Sequence, residues 1–157
     1  MYLNLSEKIF SFFHRFIEKQ YHLRRLSKIL KDITEFKNPI IFDVGGNEGE
    51  FIDFFLNLFE NPTIYSFEPE MSSYQKLVKK YGKNKTINLF NLAFGNKKEE
   101  LKLKTNIKSS TSTFSKINMQ SKYYNLKSLI LNPSKNDIFF GEEKVQVEKM
   151  DNFFNQK

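Results

Sequence analysis

Pro39-Ile40-Ile41-Phe42-Asp43-Val44-Gly45-Gly46-Asn47-Glu48-Gly49 is the stretch on which the fold turns. Its first six residues form an apolar run interrupted only by Asp43, the pattern of a parallel strand buried on both faces. Gly45, Gly46 and Gly49 then punctuate a turn. Beyond it Phe51, Ile52, Phe55, Leu58 and Phe59 recur at helical spacing until Asn61 and Pro62 close the segment. The stretch therefore predicts a strand, a glycine turn and a helix in that order.

Outward from this unit the alternation continues. Thr63 to Glu68 reads as a second strand, Met71 to Tyr81 as a second helix with Gly82 just past its end, and Thr86 to Leu92 as a third strand. A β-α-β-α-β order implies a parallel sheet with crossover helices, an α/β fold of Rossmann-like type. Lys98 to Lys104, with Leu101 and Leu103 alternating against charge, predicts a further short strand on a half-exposed edge. Ser109 to Ser115 is a Ser/Thr-rich loop, and residues 116 to 143 are weakly patterned, read as loop with one helix at most. Val145 and Val147 suggest a last strand, and Asp151 is a cap for a terminal helix.

Upstream, residues 5 to 36 read as one or two amphipathic helices. Ile9, Phe13, Phe16, Leu23, Leu26, Leu30 and Ile33 form the apolar stripe, with Arg15, Lys19, Arg24, Arg25, Lys28 and Lys31 on much of the remainder. Packing on the following domain is the ordinary role of such a stripe; self-association or an anionic membrane surface are its rivals. The organisation expected is a helical segment over residues 1–37 and an α/β domain over 38–157.

Cysteine is absent, which excludes disulfides, thiolate zinc sites and cysteine nucleophiles, and no metal site is expected. A reducing cytoplasm fits, since Met1 to Phe16 carries Glu7, Lys8 and Arg15 where a signal peptide would be uninterrupted. The net charge of +7 is unevenly placed: residues 37–75 hold one Lys and seven carboxylates, net −6, and residues 76–108 hold ten Lys and two Glu, net +8. The Lys-rich stretch reads as solvated surface, and no nucleic acid is expected as partner.

The chemistry is expected on the turn formed by Asp43, Gly45, Gly46, Asn47 and Gly49, where missing Cβ atoms let a ligand approach the main chain. A dinucleotide fingerprint would need glycines at 45, 47 and 50, and Asn47 and Glu50 occupy two of those places. The spacing fits instead the acidic D-x-G-x-G-x-G turn of S-adenosylmethionine enzymes, with Asn47, a residue that tolerates left-handed geometry, replacing the middle glycine. Asp43, Glu48 and Glu50 suit a sulfonium cation and would repel a pyrophosphate. Glu68, at the end of the second strand and 19 residues after Gly49, stands where an acidic side chain accepts hydrogen bonds from ribose hydroxyls.

Three strings, Ile-Phe-Asp-Val-Gly-Gly-Asn-Glu-Gly-Glu-Phe (41–51), Tyr-Ser-Phe-Glu-Pro-Glu (65–70) and Asn-Leu-Ala-Phe-Gly (91–95), together resemble the FkbM-type family of S-adenosylmethionine-dependent methyltransferases over roughly residues 39 to 154. The resemblance implies a class I methyltransferase fold in which Asp43, Gly45, Asn47 and Gly49 line the methionine and sulfonium portion of the cofactor and Glu68 holds the ribose. It implies Asn91 with Ala93 near the adenine, and Ser110, Thr111, Ser112 and Thr113 in a loop near the methyl group or the acceptor. The implied reaction is O-methylation of a sugar or other natural-product hydroxyl. The family usually has Ala where Gly46 stands and a second Pro at Glu70 or its neighbour. It also continues, after a segment like Val145 to Phe154, into a fourth strand with an Asp-Val-Glu-Gly-like motif, whereas this sequence ends at Lys157.

The strand pattern leads to the same expectation by another route. Stacked in the order 3-2-1, the strands leave the apolar first strand at an edge, and the ligand crevice of an open α/β sheet lies where strand order reverses beside it. The sequence is therefore read as a sheet incomplete at its C-terminus, a truncated or split product carrying the cofactor half. No general base stands out: His14 and His22 fall on the N-terminal helices and read as surface residues. Two rival functions stay open. One is a nicotinamide-dependent oxidoreductase; the other is a non-catalytic remnant or subunit that completes its sheet with a partner, the basic N-terminal helices forming the contact.

Overall fold

The computed structural model describes residues 21–31, 37–106, 112–115, 118–122, 124–126 and 139–155. Residues 21–31 form a helix (α1); the apolar positions 9, 13, 16 and 33 of the expected stripe, and His14, lie outside the described residues. His22 is exposed, as read from the sequence. Leu23, Arg24 and Ser27 of α1 border an open cleft shared with Asp53, Phe54 and Asn57 of the next helix.

The glycine-turn unit folds as expected. Strand β1 (Ile40–Val44) leads through the turn into α2 (Glu50–Leu58), β2 (Thr63–Phe67), α3 (Met71–Tyr81) and β3 (Ile87–Phe90). The strands are parallel in the order β1-β2-β3, with Ile41 opposite Ile64 and Ile64 opposite Ile87. This is a mixed α/β arrangement around a small parallel sheet. Side chains alternate between faces along each strand. Ile41, Ile64, Ile87 and Leu89 pack with Ile52, Phe55 and Leu56 of α2 and with Leu77 and Tyr81 of α3 in one core.

The opposite face is aromatic. Phe42 stacks on Tyr65 at 5.3 Å, Tyr65 on Phe90 at 6.3 Å, and Phe67 on Phe90 at 5.0 Å between ring centroids. It is covered by a short helix near the end of the sequence, α4 (Met150–Asn155), whose Phe153 meets Phe67 and Phe90 edge-on and whose Phe154 meets Phe42 at 4.6 Å. Asp151 stands in the first turn of α4 and not at its cap, because the helix begins at Met150.

A second sheet corrects the sequence reading. Ala93–Phe94 (β4), Glu99–Asn106 (β5) and Phe139–Glu148 (β6) assemble in the order β4-β6-β5. β6 reaches back to Phe139, well into the stretch read as weakly patterned, and runs antiparallel to β5 with Leu101 opposite Val145. The reason is that β6 takes its register from a partner 40 residues away, which no local pattern announces. Ala93, Leu103, Val145 and Val147 are buried between the strands, and Lys102–Glu142, Lys144–Glu100 and Lys98–Glu148 pair on the wet side.

β1 lies at the edge of its sheet, and no strand among the described residues pairs with its outer side. Its continuous apolar run predicted burial on both faces. The structure covers one face of β1 and only part of the other, leaving Ile40 66%, Phe42 45% and Val44 55% exposed. Among the described residues, Phe154 of the six-residue α4 reaches over Phe42, and Ile40 and Val44 stay open. No helix among the described residues is long and apolar enough to cross a membrane.

Candidate functional site

The turn after β1 sits at the carboxyl end of the parallel strands, where ligands of open α/β sheets bind. Three of its residues adopt positive φ: Gly45 at 91°, Asn47 at 45° and Gly49 at 81°. Asn47 thus takes the left-handed geometry for which asparagine is the best tolerated side chain. A Cβ on Gly45 would meet nothing within 4 Å, so that glycine opens onto free space. A Cβ on Gly49 would lie 2.4 Å from the Tyr81 ring, whose hydroxyl donates to the Gly49 carbonyl at 2.9 Å and to Asp53 at 2.8 Å.

Gly46 is set by a different neighbour. A Cβ there would lie 2.2 Å from Ser66 Oγ, and Ser66, fully buried, donates at 2.9 Å to Asp43 Oδ2. Glycine at this position and serine at the facing position of β2 are therefore one packing solution. Burial pushes the Asp43 carboxyl above its ordinary value of 3.8, against the Ser66 hydrogen bond.

Four amides of the turn are spent inside the protein. Gly45 and Gly46 N–H both donate to the Phe67 carbonyl at 2.8 and 3.1 Å, Gly49 N–H to the Gly46 carbonyl at 2.7 Å, and Asn47 N–H to Glu68 Oε2 at 2.8 Å. Glu68 accepts a second backbone bond from Glu70 N–H at 2.8 Å on Oε1. Its carboxylate clamps the glycine turn to the start of α3 while keeping further lone pairs for donors from a ligand. Burial raises its pKa above the ordinary 4.5, the two N–H donors pull it down, and the charges of Glu70 and Asp43 raise it again.

A pocket of about 320 Å³ opens over this clamp, at the small end of the range for small-molecule sites. Gly45, Gly46, Asn47, Glu50 and Phe51 form one side, Glu68, Pro69 and Glu70 the floor, and Leu103, Ser112 and Phe114 the other side. Among the described residues no Lys, Arg or His lines it. Such a wall accepts hydrogen bonds from hydroxyls, attracts cations and repels phosphate, and the amides of Gly45, Gly46, Asn47 and Gly49 are already committed. No group of three or more His, Asp or Glu among the described residues is placed to hold a metal ion.

Of the residues singled out in the sequence, Gly45, Gly46, Asn47, Glu50, Glu68 and Ser112 line the pocket, whereas Glu48 lies outside the lining, paired with Lys76 at 2.8 Å. Asp43 lies beneath it on Ser66, and Gly49 caps α2. Asn91 donates its amide to the carbonyls of Glu68 and Pro69, both at 2.9 Å, bracing the clamp from outside the lining. Ala93 is buried in β4, a strand of the second sheet, paired with Val147. Thr113 is bonded through its backbone to Lys104, and Ser110 and Thr111 lie outside the described residues. Ser66, Glu70, Leu103 and Phe114 were missed. Ser66 had a signal, a polar residue two positions from Ile64 on the buried face of a strand; Leu103 and Phe114 come from a distant hairpin and had none.

No protein-family model matches the chain, and no curated protein is similar to it at a significant level. The class the fold and the pocket define is a mixed α/β protein with a carboxylate-lined cleft at the end of a small parallel sheet.

Proposed function

We propose that the chain is the cofactor-binding part of an S-adenosylmethionine-dependent methyltransferase of class I type, working on a hydroxyl of a sugar or other natural product in a reducing cytoplasm. The observation that carries this reading is the turn itself: its amides at 45, 46, 47 and 49 are consumed internally, and its pocket is walled by Glu50, Glu68 and Glu70. That chemistry favours a cation bearing hydroxyls over a phosphate ester. It counts against the nicotinamide reading, because carboxylates at 50, 68 and 70 would repel a pyrophosphate.

In this reading Gly45 leaves room for the ligand at the main chain, and Glu68 accepts from the ribose hydroxyls through the lone pairs its two N–H donors leave open. S-adenosylmethionine, when bound, supplies an electrophilic methyl carbon on a cationic sulfur. What the protein adds is position and a carboxylate field.

The test is equilibrium titration of the full chain with S-adenosylmethionine and with NAD. Saturable binding of the first and none of the second is expected; the reverse order would overturn the proposal. A second reading, a non-catalytic subunit completing its sheet with another strand, is favoured by the open edge of β1 with exposed Ile40, Phe42 and Val44. Binding without methyl transfer to any hydroxyl acceptor, with transfer restored by a partner polypeptide, would select it.

A further inference from the structure

Glu70 is almost fully buried, 3% exposed, at the junction of β2 and α3. Its Oε1 accepts from Ser72 Oγ and its Oε2 from Ser112 Oγ, each at 3.0 Å. The second bond crosses the pocket. Ser112 belongs to the segment that follows β5, and its hydroxyl also accepts from Asn106 N–H at 3.1 Å. The next residue, Thr113, exchanges backbone bonds with Lys104 at 3.0 and 3.1 Å, which folds the segment back on the end of β5. Phe114 then stands beside Leu103 in the pocket wall with its side chain 40% exposed.

We propose that Glu70 is the positioning residue of this second wall, holding Ser112 and thereby setting Phe114 against whatever occupies the pocket. The inference rests on the S-adenosylmethionine reading for the identity of the ligand and on the hydrogen bonds for the wall. Glu68 and Glu70, two residues apart, divide the work: the first clamps the glycine turn on one side, the second fastens the hairpin segment on the other. A buried carboxylate accepting two hydroxyls fixes its partners because an unmade bond there leaves charge without compensation. Phe114 supplies the apolar face that a pocket walled by carboxylates otherwise lacks.

Two measurements test this, on the full chain. In amide hydrogen exchange without ligand, Ser112→Ala is expected to speed exchange at Lys104 and Thr113 at least tenfold while Ser112→Thr, which keeps the hydroxyl, leaves both unchanged. In equilibrium titration with S-adenosylmethionine, Ser112→Ala and Glu70→Gln are each expected to weaken binding about tenfold. Ser112→Thr stays within twofold of the parent, and the double variant is no weaker than the weaker single one, because both changes act on the Glu70–Ser112 bond: Gln removes its charge, and Ala removes the hydroxyl together with its Asn106 contact. Parent-like exchange and affinity in Ser112→Ala would overturn the inference, even if Glu70→Gln fails to fold. Failure of the parent chain to bind would overturn the cofactor reading together with the affinity claim, whereas the exchange result decides the wall independently.

Discussion

The two sheets solve the burial problem in opposite ways. In the parallel sheet nearly every side chain of β2 meets another element, and the polar groups are gathered at one end, where Asp43, Ser66 and Glu68 are tied to the turn at fixed distances. In the β4-β6-β5 sheet each strand alternates, with Leu101, Leu103, Val145 and Val147 inward and lysine–glutamate pairs outward. Tight packing around a backbone turn makes the first region intolerant of a single added carbon. The second keeps its charged face in water, where ion pairs contribute little. The site draws on both: a rigid side from the first sheet and a fastened side from the second.

The sharpest way to test this contrast is to add one methyl group to the turn. Gly49→Ala combines a φ of 81° with a Cβ driven into the Tyr81 ring, and should lower stability by about 3 kcal/mol, read as a shift in the urea midpoint. Gly46→Ala should cost about 2 kcal/mol, and Ser66→Ala in the same chain should recover part of it by removing the oxygen the new Cβ meets, the lost bond to Asp43 offsetting the rest. Failure of that rescue would separate Gly46 from Ser66.

Hydrogen exchange reads the edge of the same sheet. Thr63 N–H bonds to the Pro39 carbonyl and Gly45 N–H to the Phe67 carbonyl, so by the alternation of a parallel ladder Ile41 and Asp43 face β2 and Ile40, Phe42 and Val44 face outward. The amides of Ile41 and Asp43 should be protected, those of the other three fast. Uniform protection would mean that another strand covers the edge.

A pH series should show a smaller effect. The Glu68 carboxyl titrates higher in the folded chain than its ordinary 4.5, so its protonated form is the one the fold favours. Its contribution is present below 4.5 and is lost as pH rises through the raised folded value. Glu68→Gln should therefore gain stability relative to the parent as pH rises from 4.5 toward neutrality. A difference that stays flat would contradict the burial account. On the second sheet Lys144→Ala, which breaks an exposed pair with Glu100, should leave the urea midpoint where it is.

How much of this was legible follows the same division. The β1–α2–β2–α3–β3 run was readable because each element is announced by its own residues: an apolar strand, three glycines, a helical stripe closed by Asn61 and Pro62. The turn and Glu68 were readable because the geometry of one strand-to-helix connection sets both. β6 and the wall built from Leu103, Ser112 and Phe114 were not, since their places depend on pairing across a gap of dozens of residues. Asn91 was placed near a ligand and is found bracing the Glu68–Pro69 carbonyls, a role visible only once the turn has a shape.

The most direct measurement is calorimetric titration of S-adenosylmethionine into the parent chain and into Asp43→Ala and Glu68→Ala variants that retain the parent's circular dichroism. The account predicts saturable one-to-one binding by the parent, at least tenfold weaker in each variant. Equal affinity in all three, or none in a folded parent, would contradict it.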